Sequence, residues 1–256
     1  MSISLRVVLV GAILVATVSA QPSPQTAAQP LSEVRNAADQ GDASAQFNLG
    51  VMYADGRDYG EAAKWYRKAA DQGNASAQFN LGVVYANGQG APRDYAEALK
   101  WYRKAADQGL ARAQLNLGFM YDNGQGVPQD YVEAAKWYRK AADQGNASAQ
   151  FNLGVVYANG QGAPQDYGEA AKWYRKAADQ GNASAQFNLG VVYANGQGAP
   201  QDYVLAYMWI NLAAAASTDT EKKVAEARDS IASKMTPEQV ADAQRLAREW
   251  KPITSK

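Results

Sequence analysis

The sequence predicts an all-α solenoid of antiparallel helix pairs, closed by a C-terminal helical cap. Three observations predict it. A block of residues beginning at Ala75 returns at Ala111, Ala147 and Ala183, each 36 residues after the last. Inside every block the apolar residues recur at helical spacing, and glycine-containing stops divide it in two. Beyond the last copy the repeat gives way to two further amphipathic helices. A helix pair with two apolar sides cannot bury both alone, and stacking its copies does so.

The elements follow in chain order. Arg6 precedes an apolar run of 12 residues, Val7 to Val18, and Val18-Ser19-Ala20 supplies the small residues of a cleavage site before Gln21. Residues 1–20 therefore read as a secretory signal peptide. A membrane anchor is the alternative, but a spanning helix needs about 20 apolar residues. Residues 21–31, opening QPSPQTAAQP, read as a polar, proline-containing disordered linker. The mature chain is expected to be periplasmic or secreted, without membrane insertion once the signal is removed.

Residues 32–216 hold five copies preceded by half a copy. AADQG at 37–41 matches AADQG at 69–73, and the first full copy, beginning at Ala43, is four residues shorter than the rest. In the copy at 75–110, Asn74 is an N-cap, the first helix ends at Asn87-Gly88, and Gln89-Gly90-Ala91-Pro92 forms the turn. Asp94 caps the second helix, with Glu97 placed for a capping box, and Gly109 ends it. At about 100° per residue, Ala77, Leu81, Val84 and Tyr85 share one apolar side, while Phe79 and Ala86 face the adjacent repeat. Gly82 admits a close neighbour. Tyr95, Ala98, Leu99, Tyr102, Ala105 and Ala106 form the buried stripe of the second helix, and Lys100, Arg103 and Lys104 are expected to face outward.

Residues 217–256 are expected to hold two capping helices and a tail. The fifth second helix, Tyr203 to Ala216, carries Leu205, Met208, Asn211 and Leu212 where the fourth copy has Glu169, Lys172, Arg175 and Lys176. Its outer face has become apolar. A helix from Glu221 to Lys234 offers Val224, Ala227 and Ile231, and one opening Thr236-Pro237-Glu238-Gln239 offers Val240, Ala243, Ala247 and Trp250. Either these helices cover the apolar face, as solenoid ends require, or the face is a dimer or partner surface.

Composition narrows the function. Basic and acidic residues balance at 25 each, so no strong field points to nucleic acid or an anionic membrane. The chain has no cysteine and no histidine. Disulfides, thiolate chemistry, Ser-His nucleophiles and ordinary zinc sites are thereby excluded. No cofactor is expected. Gly88-Gln89-Gly90 lacks the lysine and the preceding strand of a phosphate loop and reads as a turn. Trp65, Trp101, Trp137 and Trp173 suit packing between repeats better than base stacking. Asn74, Asn146 and Asn182 match glycosylation sequons but are required as helix caps.

The pattern A-x-A-Q-F-N-L-G-x-x-Y-x-N-G-x-G-x-P-x-D-Y-x-x-A-x-x-W-Y-x-x-A-A-x-Q-G resembles the Sel-1-like repeat, a relative of the tetratricopeptide repeat. The resemblance covers Ser32 to about Ala216. It implies a right-handed superhelix and a role as an adaptor, some exported bacterial members regulating envelope signalling or contacting host proteins. The tetratricopeptide carboxylate clamp needs an asparagine directly after the helix-one glycine, where this chain has Val51, Val83, Phe119, Val155 and Val191. The leading expectation is a monomeric, non-enzymatic scaffold or regulator that holds a protein or peptide partner in the groove of the solenoid. An envelope enzyme or a peptidoglycan- or β-lactam-binding repeat protein is the alternative, weakened by the absence of cysteine. A structural spacer is the third.

Two sets of residues are candidates for partner binding. Asn48, Asn80, Asn116, Asn152 and Asn188 recur as a ladder expected on one surface, where amides suit a peptide backbone; contacts between repeats are the competing reading. The third copy differs most from its neighbours. Arg112 stands where Ser76 and Ser148 do, Phe119 where Val83 and Val155 do, and Asp122 where Ala86 and Ala158 do. Identical repeats cannot fix a partner's register, so these departures mark the expected hot spot.

Overall fold

The computed structural model describes residues 31–216 and 221–253. The expected signal peptide and the linker as far as residue 30 lie outside the described residues. All regular structure among the described residues is helical: α1 (Leu31–Asp39), α2 (Ala43–Asp55), α3 (Tyr59–Asp71), α4 (Ala75–Asn87), α5 (Tyr95–Asp107), α6 (Ala111–Asn123), α7 (Tyr131–Asp143), α8 (Ala147–Asn159), α9 (Tyr167–Asp179), α10 (Ala183–Asn195), α11 (Tyr203–Ala216), α12 (Glu221–Ala232) and α13 (Pro237–Glu249). The fold is an all-α array of helix pairs.

Local chemistry sets the boundaries. The Asn74 side chain accepts from the Ala77 amide, and Asn146 and Asn182 do the same for α8 and α10. Gly88, Gly124, Gly160 and Gly196 end the first helices in the left-handed conformation. Asp94 accepts from the amides of Ala96 and Glu97. Glu97 does not complete a capping box, however. It turns outward to Lys100 at 2.6 Å, because an exposed lysine one turn on competes for its carboxylate. The reciprocal box does close at Thr236 and Gln239, with Pro237 in the first turn. In the third copy Leu110 replaces the capping asparagine, and α6 starts without a side-chain cap.

The chain divides into two compact units, one ending at Trp137 and the other beginning at Tyr138, the division falling within α7. In the first unit, α2 pairs with α3 and α4 with α5, while α3 packs on α4 and α5 on α6. The first helices α2 and α4 each meet the following second helix through a glycine. A Cβ at Gly82 would stand 2.6 Å from the Tyr102 ring, and one at Gly50 the same distance from Tyr66. Phe79, Val83, Tyr102, Leu117 and Met120 form one shared core, joining neighbouring copies as the sequence predicts for Phe79.

In the second unit, α8 pairs with α9 and α10 with α11, and α9 packs on α10. Both α12 and α13 then pack on α11. Ile210 and Ile231 are fully buried in a core with Tyr207, Val224, Ala227 and Ala243. Met208 and Trp209 pack instead with Ala247, and Trp250 stands edge-on to Trp209 at 6.0 Å. Leu205 and Leu212 are only partly buried. Beyond α13 the chain lies along the turn after α9, where the Ile253 amide donates to the Asp179 carbonyl at 2.8 Å.

Candidate functional site

The asparagine ladder is not a surface. Asn80 and Asn188 are 2% exposed and Asn116 is 9% exposed, while Asn48 and Asn152 are half-buried. The reason is that the tyrosine of the preceding helix lies against the amide. Asn80 lies beside the Tyr66 hydroxyl, Asn116 beside Tyr102 and Asn188 beside Tyr174. Burial pushes all three phenols above their ordinary range, and the amides oppose that shift in part. The reading in which these amides serve contacts between repeats describes Asn80, Asn116 and Asn188.

The three departures of the third copy are all half-buried. Arg112 reaches back from α6 to α4. Its Nη2 donates to Ser76 Oγ at 3.1 Å, and its guanidinium lies 4.6 Å over the Phe79 ring. Burial lowers its pKa, and the neighbouring Tyr66 phenol opposes that shift. Phe119 is less covered than Val83, the equivalent residue of the second copy, which is 2% exposed. Asp122 lies one turn further on, and its carbonyl accepts from Gln129 at 2.7 Å. Arg112, Phe119 and Asp122 thus stand along α6 at intervals of seven and three residues, which places them on one side of that helix.

Two sets of polar residues carry structure that the sequence reading missed. Gln46, Gln78, Gln114, Gln150 and Gln186 are 2–5% exposed. Each donates to a carbonyl near the end of the preceding helix: Ala38, Ala70, Ala106, Ala142 and Ala178 respectively. The oxygens of Gln46, Gln78 and Gln150 accept from Gln72, Gln108 and Gln180. At Gln186 the register runs out, since position 216 holds alanine, and its Oε1 is buried without a partner. The recurrence of Gln in every A-x-A-Q motif was the available signal.

Arg103 does not simply face outward. It donates to the Tyr121 hydroxyl and lies 5.4 Å over Trp137, while Arg67 makes the same contacts with Tyr85 and Trp101. Arg139 and Arg175 repeat the arrangement with Tyr157 and Trp173, and with Tyr193 and Trp209. A guanidinium that spans a hydroxyl and an indole face ties three helices together. Its signature in the sequence is an arginine with tyrosine 18 residues on and tryptophan 34 on. Lys100 and Lys104 do face solvent.

Among the described residues, no group of three or more Asp, Glu, His or Cys is arranged to hold a metal, and no helix is long and apolar enough to cross a membrane. The carboxylates with shifted pKa have local causes. Burial raises Asp179 at the end of α9, against the pull of Arg175 at 3.9 Å. Hydrogen bonds in the first turn of α13 lower Glu238.

The Sel1 repeat family profile matches residues 43–74, 75–110, 111–146, 147–182 and 183–217. No curated protein matches the chain. A Sel1 repeat protein from Oxalobacter formigenes is similar in structure at 30% identity and a TM-score of 0.71, over 88% of this chain and 96% of that one. The protein c5321, described as a protective antigen of uropathogenic Escherichia coli with an SLR fold, is 32% identical with a TM-score of 0.59. That alignment covers 86% of this chain and 55% of c5321, so the chain spans about half the length of that relative. A Sel1 repeat protein from Klebsiella pneumoniae is 26% identical, with a TM-score of 0.50, over 80% of this chain and 100% of that one.

Proposed function

Because the chain belongs to the Sel1 repeat family, whose repeats generally mediate protein–protein interaction, we propose that it is an exported scaffold or regulator that holds a protein or peptide partner. It binds rather than catalyses, and its binding centre is the side of α6 that carries Arg112, Phe119 and Asp122. The observation that carries this reading is the half-burial of Arg112 and Phe119 at positions where the other copies have small residues. Arginine and large aromatics in part-buried settings dominate interface hot spots, and a lone departure from a near-identical array fixes register.

The test is the double variant Arg112→Ser, Phe119→Val, which restores the residues of the neighbouring copies and is expected to fold. Partner capture from the envelope fraction, followed by calorimetry with the captured protein, should weaken by roughly 2 kcal/mol or more. Alanine at Lys100 and Lys104, both exposed, should change it little. Equal effects from the two sets of substitutions would sink the reading.

Export is a separate part of the proposal, supported by the short apolar run and the Val18-Ser19-Ala20 site. That c5321 is a protective antigen is consistent with it. N-terminal sequencing of the protein from its producing cell should begin at Gln21. An intact Met1 in a membrane fraction would refute export by cleavage.

A further inference from the structure

Arg112 is a charged group without a counter-charge. None of the ion pairs among the described residues includes it. Its contacts are a neutral hydroxyl, Ser76 Oγ at 3.1 Å, and the face of Phe79. Its Nε is buried with no hydrogen-bond partner. A guanidinium has five donors and no acceptor, and drawing it partly out of water without an anion is unfavourable. Stability alone does not favour such a group, and the serine of the other copies avoids the cost.

The groups beside it are neutral and offer the guanidinium no counter-charge. Ser76 and Asn80 are four residues apart on α4, hence on one face of that helix, and Phe79 lies between them in sequence. Asn80 is 2% exposed, and its buried amide lies against the equally buried Tyr66 hydroxyl, which the Arg112 charge also reaches. That pair serves itself, and the donor left without a partner is the Nε of Arg112. The same tyrosine–asparagine pair recurs at Tyr174 and Asn188, where Ser184 stands in the place of Ser76 and the position equivalent to Arg112, 32 residues after the asparagine, falls at Thr220 beyond the last copy. Arg112 therefore adds a positive charge beside a pair that the array already carries.

We propose that Arg112, with Ser76, is the point at which this protein recognises a carboxylate of its partner, specifically an aspartate or glutamate side chain. The proposal rests on the protein-binding reading above and names the chemistry of that surface. A carboxylate displaces the single neutral bond to Ser76 because a charge-assisted, two-point contact with guanidinium is stronger. The assignment to a side chain follows from position. The helices α4 and α6 are the first helices of the second and third of five copies, so a segment lying along several first helices passes this point instead of ending there. One anionic residue set against one arginine would also fix which copy the segment faces.

The experiment follows the arginine Nε–Hε and asparagine side-chain signals of the purified protein by NMR. Three probes are added in turn: N-acetylglutamic acid α-amide, which carries only a side-chain carboxylate; N-acetylglycine, which carries only a chain-end carboxylate; and neutral N-acetylglutamine amide. Saturable movement of Arg112 and Asn80 with the first probe, none with the neutral one, and no saturation at Arg103 or Asn188 is the expected result. In Arg112→Ser the Asn80 response should weaken by about tenfold or more, and Arg112→Lys should retain part of it. Non-saturating drift shared by all the arginines overturns the proposal, as does saturation by N-acetylglycine alone. The two readings fail separately. If the titration is flat while Arg112→Ser, Phe119→Val still loses the partner, the carboxylate is wrong and protein binding stands. If the titration saturates but partner capture is unchanged, the anion site stands and its part in partner binding falls.

Discussion

A chain ending at Ser217 will aggregate, or will melt with a loss of several kcal/mol. The reason lies in what α12 and α13 cover. Ile210 on α11 and Ile231 on α12 are both fully buried against one another's core, with Tyr207, Val224 and Ala243 in the same cluster. Met208 and Trp209 are 6% and 1% exposed, in a cluster that Ala247 and Trp250 complete. Removing the last two helices opens Tyr207, Met208, Trp209 and Ile210 together, and each fully buried apolar side chain is worth roughly 1.5–3 kcal/mol. Chain entropy recovered from the removed helices offsets part of this. The measurement is a thermal melt alongside sedimentation. A truncated protein that remains monomeric with an unchanged Tm would show that these helices are dispensable.

The second large effect is expected at a turn. Gly90 has φ +85° and lies in the loop between α4 and α5. A Cβ there would fall onto the Tyr59 carbonyl oxygen at the start of α3, which is backbone and cannot swing away. Gly198 stands in the same relation to Tyr167, so the longer loop docks on the preceding copy. Gly109, with φ +91°, has nothing within 4 Å of its Cβ position. Gly109→Ala should therefore cost about 1–2 kcal/mol, the strain of a left-handed alanine alone. Gly90→Ala carries the same strain and adds the clash, a further 1–3 kcal/mol or so if overpacking is the guide. Urea unfolding of both variants isolates the contact. Equal losses would mean that the loop is held by its own backbone and not by the neighbouring copy.

Much of the molecule could be read in the chain order of its residues. The 36-residue period, the capping asparagines and the glycine stops depend on interactions within about four residues, so they appear in the sequence directly. The fold class, the helix pairs and the contact of Phe79 with the adjacent copy followed from them. So did the apolar face of α11, because a stripe that loses its charges must be covered by something.

Which polar residues meet solvent was decided by tertiary structure. Asn80 sits on what helical angle alone marks as a polar strip, yet it is buried because Tyr66 of the preceding helix lies against its amide. Arg103 has the spacing of an outward residue, but the hydroxyl of Tyr121 and the indole of Trp137 come to it from other helices. Gln78 recurs in every copy, but its burial shows only when the end of the preceding helix is placed against it. Angular position around one helix says which way a side chain leaves the backbone. Only the packing of other helices says what waits there, and a long polar side chain is buried whenever a neighbour supplies the hydrogen bonds that water would have made.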